Sequence, residues 1–267
     1  MFFKPPKFTI IIYAIIFCIA AQAFAQEHEN TPMPGFNLAG SHQKAIKIAD
    51  EVMKKLGGRK NWDDTRFVTW KFFSRRLHVW DKWTGNIRFE GNNMVVLMNL
   101  NTKQGRAWKD GEEITHPDSL EKALYRAESA WINDSYWVFM PYKLKDTGVT
   151  LKYVGAGEME NGRAADVLEL TFRDIGRTPQ NKYRVYVDKE TNLVEQWDFY
   201  MDATDPEPRF KTPWANWQQY GKIMLSDDRG RGKHSEIAVF EELPTSVFES
   251  YGPVDMMAFV KKAAQKQ

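Results

Sequence analysis

The side chains with most chemistry to offer in this chain are aromatic: ten tryptophans, ten tyrosines and seventeen phenylalanines. Trp131, Tyr136, Trp137, Phe139 and Tyr142 form a dense patch around Pro141. Trp70, Phe72, Trp83, Phe89, Trp197 and Phe199 fall in strand-like segments, with Phe67, Trp80 and Trp108. Such rings remove large areas from water, while the N–H of Trp and the O–H of Tyr still seek a polar partner. Ligand pockets are built the same way, mostly apolar with a few placed polar groups. Trp70, Phe72, Trp83, Phe89, Trp131, Tyr136, Trp137, Phe139, Trp197 and Phe199 are therefore candidates to line an apolar cavity and its lid. Plain core is the competing reading for each ring, because a curved sheet needs bulky filling.

Other chemistries find less support. The five histidines, His28, His42, His78, His116 and His234, are dispersed, and no H-E-x-x-H run brings two together. There is no G-x-S-x-G elbow. Asp63-Asp64 and Glu241-Glu242 are neighbours, which on a strand point to opposite faces. Glu169 and Glu195 lie in strand-like segments, where an outward position is the ordinary one. An extracytoplasmic hydrolase with carboxylates converging on the sheet stays open as an alternative, as does a structural or interaction module with a filled aromatic core. Gly155-Ala156-Gly157 and Gly230-Arg231-Gly232-Lys233 lack phosphate-loop spacing and read as turns. Arg75-Arg76 and residues 229–233 read as solvated hairpin ends. Asn133-Asp134-Ser135 fits a glycosylation pattern that matters only in a eukaryotic secretory route. No catalytic residue, metal or cofactor is assigned.

The first 25 residues carry no acid. Lys4 and Lys7 precede an apolar stretch from about Phe8 to Ala21, and Ala23-Phe24-Ala25 supplies an A-x-A site before Gln26. That pattern predicts a cleaved secretory signal, and hence an exported protein, in the periplasm or outside the cell. The apolar run is shorter than the roughly 20 residues that span a bilayer, so no transmembrane span is expected after cleavage. Cys18, the one cysteine, lies inside this segment behind Ile16-Phe17, which argues against lipidation there. Removing Lys4 and Lys7 brings the 37 basic residues level with the 35 acidic ones. A neutral chain without a clustered basic excess is not a nucleic-acid binder.

The elements that must position the rings follow from periodicity. Residues 26–40 read as a flexible leader. Ser41 is read as the N-cap of a helix over 41–56, whose Ala45, Ile48, Ala49, Val52 and Leu56 make one apolar stripe, and Gly57-Gly58 ends it. Strands are predicted at 67–73, 77–83, 86–90, 94–100 and 106–109, with Asp110-Gly111 as a hairpin signal. A helical insertion at about 117–142 interrupts this meander, opened by a capping box at Asp118 and Glu121 and loosened at Asn133-Asp134. Strands resume at 149–154, 165–172, 182–187 and 193–201. Residues 205–213 read as loop, 214–225 as one strand bent near Ala215-Asn216, 235–241 as a strand, and a short helix from Pro253. One domain over 41–267 is the simplest organisation.

The segment Tyr183-Arg184-Val185-Tyr186-Val187-Asp188-Lys189-Glu190-Thr191-Asn192-Leu193-Val194-Glu195 resembles a strand–turn–strand of the LolA/LolB-like superfamily, the outer-membrane lipoprotein carriers. The order of elements over about 41–242 is similar too, with the leading helix in the matching place. The chain also looks like a secreted family of Bacteroidetes-type bacteria with no assigned activity. The resemblance implies an α+β fold, a curved antiparallel half-open barrel wrapped around the leading helix and the insertion. It implies an apolar cavity that takes a hydrophobic small molecule, lipid or lipoprotein acyl chain without catalysis. An envelope protein is the further partner it suggests.

Overall fold

A computed structural model of the protein describes residues 30–173 and 176–264; the expected export signal lies outside the described residues. Alternation of apolar and polar side chains makes the strands, and short turns with positive φ join them. β1 (Phe67–Phe72), β2 (Arg76–Asp81), β3 (Asn86–Gly91), β4 (Met94–Asn99), β5 (Gly105–Lys109) and β6 (Glu112–Glu113) run as a meander. Asn92-Asn93 turns β3 into β4 with φ of 55° and 59°, and Asp110-Gly111 turns β5 into β6 with φ of 52° and 89°. Two residues in the left-handed region match the right-handed twist of the strands they join.

The later strands are β7 (Val149–Glu158), β8 (Ala164–Phe172), β9 (Lys182–Asp188), β10 (Val194–Tyr200), β11 (Phe210–Pro213), β12 (Ala215–Tyr220), β13 (Ile223–Asp228) and β14 (Ser235–Phe240). One sheet has the order β14-β1-β2-β3-β4-β5-β6, a second β11-β10-β9-β8-β7, and β12-β13 form a separate hairpin. Every pairing is antiparallel and the sheets stay open rather than closing into a barrel. The protein is thus mainly β with a few helices, the α+β half-barrel class expected.

The helices are α1 (Gln43–Lys55), α2 (Arg59–Asp64), α3 (Pro117–Phe139), α4 (Ser246–Glu249) and α5 (Met256–Ala264), with a 3₁₀ turn at Met140–Lys143. α1 buries Ala45, Ile46, Ala49, Val52 and Met53 in the main core, against Trp70, Leu151, Leu168 and Val187. α3 presses Ala123 and Ala127 onto Ile87, Phe89, Val96 and Met98 of the seven-stranded sheet. Its other face holds Leu77 and Val79 beneath Val247 and Met256 of the C-terminal helices. The fully buried Arg88 ties this segment down. It donates to the carbonyls of Val247 (3.1 Å), Ser250 (2.7 Å), Tyr251 (3.4 Å) and Gly252 (2.5 Å), which are otherwise unmet at the end of α4.

Several expectations change. His42, not Ser41, is the N-cap of α1; the Ser41 hydroxyl bonds to Asn37 O and accepts from Leu151 N. His116 is the N-cap of α3, Pro117 takes the first position, and Asp118 favours the positive helix end without capping it. Asn133-Asp134 does not loosen α3, because Asp134 is buried and ion-paired to Arg76 of β2. The single bent strand expected at 214–225 is a hairpin, turned at Gly221 with φ of 57°, and part of the expected loop forms β11. Residues 30–40, expected as leader, run beside the edge strand β7 and the turn before it: Met33 N donates to Lys145 O (3.0 Å), Asn37 N to Val149 O (2.9 Å) at the start of β7, and Phe36 is buried.

Candidate functional site

α3 changes character along its length. Up to Ala130 the residues it packs on the seven-stranded sheet are aliphatic, Leu120, Ala123, Leu124, Ala127 and Ala130; from Trp131 on, Trp131, Tyr136, Trp137 and Phe139 add rings. Trp131 meets Trp80 edge-on at 5.0 Å, Tyr136 stacks on Trp197 at 5.9 Å, and Trp137 meets Trp197 edge-on at 4.9 Å. Where this half of α3 faces the five-stranded sheet, the layers leave a cleft of about 390 Å³. Its helix wall is Trp131, Ile132, Tyr136 and Trp137, and its sheet wall Val149, Phe172 and Tyr183. Arg177, Thr178 and Asn181 form a rim, with Lys143 and Asp146, which pair at 2.7 Å. Burial pushes the Tyr136 hydroxyl well above the ordinary tyrosine range, and neighbouring Tyr183 and Asp146 add to that rise. The cleft's walls are mostly apolar, with Ser129, Asn133 and Ser135 also lining the helix side, and its charges stand at the edge, which suits an apolar chain.

Three larger clefts, of about 850, 1030 and 740 Å³, flank the C-terminal segment on the outer side of the seven-stranded sheet. Charged and amide side chains such as Arg66, Asp81, Asn99 and Glu242 run through their linings.

The ten rings singled out from sequence separate into groups. Trp131, Tyr136 and Trp137 line the 390 Å³ cleft. Trp197 and Phe199 stand behind its wall, at 4.9 and 5.3 Å from Tyr183. Trp70, Phe72 and Phe139 sit in the main core, and Phe89 lies under the alanines of α3. Trp83 is 61% exposed on the edge of the 1030 Å³ cleft, where its indole donates to Asp63 O at 3.1 Å. Sequence reasoning missed the rim residues Lys143, Arg177 and Asn181, which no local pattern marks.

Two buried polar clusters brace the aromatic half of α3. Asp134, fully buried, accepts two bonds from Arg76 and one from His78 Nε2, each at 2.7 Å. Burial pushes its carboxyl up, but the bonds from His78 and Arg76 outweigh that and hold it below the usual range. Burial keeps His78 neutral, its imidazole stacked on Trp70 at 4.7 Å. In the second cluster Arg229, 3.8 Å over the Trp214 ring, donates to Trp137 O (2.7 Å) near the C-terminus of α3. A cation there complements the helix dipole. Burial lowers Arg229 to about 9, and burial with Arg229 nearby takes His234 down to about 3. His234 stacks on Phe72 at 5.2 Å.

Elsewhere, burial lowers Lys82 to about 7, where its ammonium lies over Trp62 and donates to the Trp62 carbonyl. The carboxylates Asp188, Glu195 and Asp198 do gather on the five-stranded sheet, but on protein partners. Arg163 binds Asp188 (2.8 Å) and Glu195 (2.6 Å), while Tyr186 donates to Asp198 (2.8 Å). Glu169 stands 3.6 Å from Arg184. None of these carboxylates lines the clefts described above. Among the described residues no group of three or more His, Cys, Asp or Glu could hold a metal ion, and no helix is long and apolar enough to cross a membrane.

No family model and no curated protein matches the chain. Solved structures similar to it include a DUF1329 family protein from Desulfovibrio piger, 14% identical with a TM-score of 0.42, over 77% of this chain and 97% of that one. Another is a LolA superfamily protein from Nitrosomonas europaea, 12% identical with a TM-score of 0.31, over 75% and 96%. A third is a conserved protein from Thermus thermophilus, 14% identical with a TM-score of 0.26, over 80% and 97%. At these scores and identities the likeness carries no weight on ligand or activity.

Proposed function

We propose that the protein is a non-catalytic binder of a hydrophobic ligand, a lipid or a lipoprotein acyl chain, held between α3 and the five-stranded sheet. The observation that carries this reading is the cleft of about 390 Å³ walled by Trp131, Tyr136, Trp137, Val149, Phe172 and Tyr183. Its size falls in the ordinary range for small-molecule sites. Each methylene moved from water into such walls contributes ~0.8 kcal/mol, against the costs of association and ordering. Trp197 and Phe199 support the wall from behind, so their loss would reshape the cleft. The rim pair Lys143–Asp146 and Arg177 would face a headgroup or solvent.

The reading includes export, as residues 1–25 suggest, and an envelope protein as the source or recipient of the ligand. Native mass spectrometry of protein purified from its own envelope fraction tests it. A co-purified lipid, together with displacement of a neutral apolar fluorophore by lipid, is the expected result. Absence of any bound lipid, with no fluorophore binding, overturns it. Sequencing the N-terminus of the same sample should begin at Gln26.

A further inference from the structure

The walls of the 390 Å³ cleft suit the apolar part of a ligand, and its charged residues bear on the other end. Among the described residues that line it, the charged ones are Lys143, Asp146 and Arg177. Lys143 and Asp146 pair with each other at 2.7 Å. That pair closes on itself and leaves Arg177 as the uncompensated charge of the lining.

Arg177 is held in place without being used up. Its guanidinium lies over the Tyr125 ring at 4.0 Å, and it donates one bond to Glu128 at 3.3 Å. The other oxygen of Glu128 already accepts from Lys103 at 2.6 Å. Two cations thus share one carboxylate, and a positive charge is left over. A guanidinium carries five N–H donors, and Arg177 spends only one of them among the described residues. Its side chain is 31% exposed, so the group stays open to solvent at the cleft's edge. Stacking on a ring fixes the plane of the fork and leaves its rim free. That is the arrangement that grips a carboxylate or a phosphate through two parallel bonds.

We propose that Arg177 makes this cleft select amphiphiles with an anionic headgroup, a carboxylate or a phosphate, over neutral and cationic ones with the same chain. The inference rests on the ligand-binding reading above and names the charge of its ligand. A chain laid against Tyr136, Trp137 and Phe172 brings its head to the edge that Arg177 shares with Thr178 and Asn181. An anion there gains the unspent donors, and a cation meets surplus positive charge. A neutral ester gains no charge pairing.

The test uses the full exported chain loaded with the neutral fluorophore N-phenyl-1-naphthylamine at neutral pH. Dodecanoate, dodecyl phosphate, methyl dodecanoate and dodecyltrimethylammonium compete for it, each below its micelle concentration. In wild type the better of the two anions should displace the fluorophore at about fivefold lower concentration than the ester, the upper end of what an exposed charge pair supplies. The cation should compete least. Which anion is stronger tells a fatty acid from a phospholipid as the source. Added salt should erode the anions' advantage and leave the ester unchanged. Arg177→Gln should bring anions and ester level, with ester binding as in wild type. Glu128→Gln, which releases Arg177 from its carboxylate, should widen the anion preference, and it decides the matter if Arg177→Gln fails to fold. A purely structural Arg177 would move neither preference. Anions and ester competing equally in wild type, or the cation competing best, overturn this inference and leave the binding reading intact. So does an anion preference that Arg177→Gln retains or that Glu128→Gln diminishes. Failure of the fluorophore and every competitor to bind overturns the inference together with the reading it rests on.

Discussion

One helix serves two sheets in this protein and closes only one of them. Where α3 lies on the seven-stranded sheet it presents Ala123 and Ala127, and Ile87, Phe89, Val96 and Met98 fill the contact. Where the same helix reaches the five-stranded sheet it presents Tyr136 and Trp137, with Trp131 at the boundary against Trp80 of β2, and about 390 Å³ stays open. A methyl group lets helix and sheet backbones approach, and neighbouring aliphatic side chains then interdigitate to interior density. Planar rings set edge-on at about 5 Å spacing hold the layers apart and leave gaps between their faces.

The largest break in this comparison comes at its hinge, Asp134, between the two halves. Asp134→Ala strands Arg76 and His78 on the buried face, and losing one member of a buried ion pair costs about 3–5 kcal/mol. Urea unfolding should show that loss, with Asp134→Asn intermediate. The pH dependence has a definite sign. The carboxyl is held below its ordinary value in the folded state, so its contribution is present above pH ~3.8 and lost as pH falls below that. The acid limb of the stability curve should shrink in Asp134→Asn.

Filling the closed half should do nearly as much damage. Ala127 is fully buried beneath α3, and Ala127→Phe has no space to enter. Overpacking of this kind costs about 1–3 kcal/mol, readable as a drop in Tm. A neutral result would show that α3 can rise off the seven-stranded sheet, and that its two contacts are not different in kind.

These two sites also show what could be read from the chain beforehand. The meander was legible because Leu77, Val79 and Asp81 alternate with His78 and Trp80, and because Asn92-Asn93 and Asp110-Gly111 suit only turns with positive φ. The insertion was legible from its spaced apolar residues. Asp134 was not, since Asn-Asp reads as a polar break. Yet Asp134 stands three residues after Trp131, four after Ala130 and seven after Ala127, on the apolar stripe itself. A carboxylate in that position requires a buried cation or imidazole, and Arg76 and His78 lie far off in sequence. Arg88 escaped notice, and Arg229, read as part of a solvated hairpin end, is buried instead, for the same reason: their carbonyl partners come together only in three dimensions. The ring cluster at 131–139 was visible in sequence. Which rings face a gap was not, because a strand's alternation tells which face a ring is on and nothing of what covers it. Hence Phe89 under alanines and Trp83 in solvent looked alike.

The two buried histidines extend the comparison at a smaller scale. Among the described residues, His78 is bonded to Asp134 through Nε2, with its Nδ1 buried and unpartnered, whereas His234 has no carboxylate bonded to its ring and is held among Phe72 and Phe73. Burial lowers His234 to about 3, so the unfolded chain takes up a proton below pH ~6.5 that the folded protein refuses. Its contribution is complete above pH ~6.5 and lost progressively as pH falls toward 3, by ~1.4 kcal/mol per unit. Between pH 7 and 5 this amounts to about 2 kcal/mol. His234→Phe should flatten the stability–pH curve by about one proton in that window; an unchanged slope would mean that His234 titrates freely in the folded state.

The smallest stability effect should accompany the largest loss of binding. Ser129 lies two residues beyond Ala127 on α3, but it borders the open cleft, and its hydroxyl only bonds back to Tyr125 O at 2.7 Å. Such a back-bond adds little to a helix. A phenyl group placed there has open volume to enter, so Ser129→Phe should change unfolding free energy by no more than ~0.5 kcal/mol, as surface substitutions do. The same ring occupies space that a ligand needs, so fluorophore binding should fall at least tenfold. Ala127→Phe and Ser129→Phe then form a matched pair, with one introduced side chain, one helix and positions two residues apart on different faces. If both variants are destabilised alike, the cleft closes in solution and the ligand-binding reading loses its cavity. If Ser129→Phe is stable and still binds the fluorophore, the guest sits elsewhere, and the three clefts beside the C-terminal segment become the places to look.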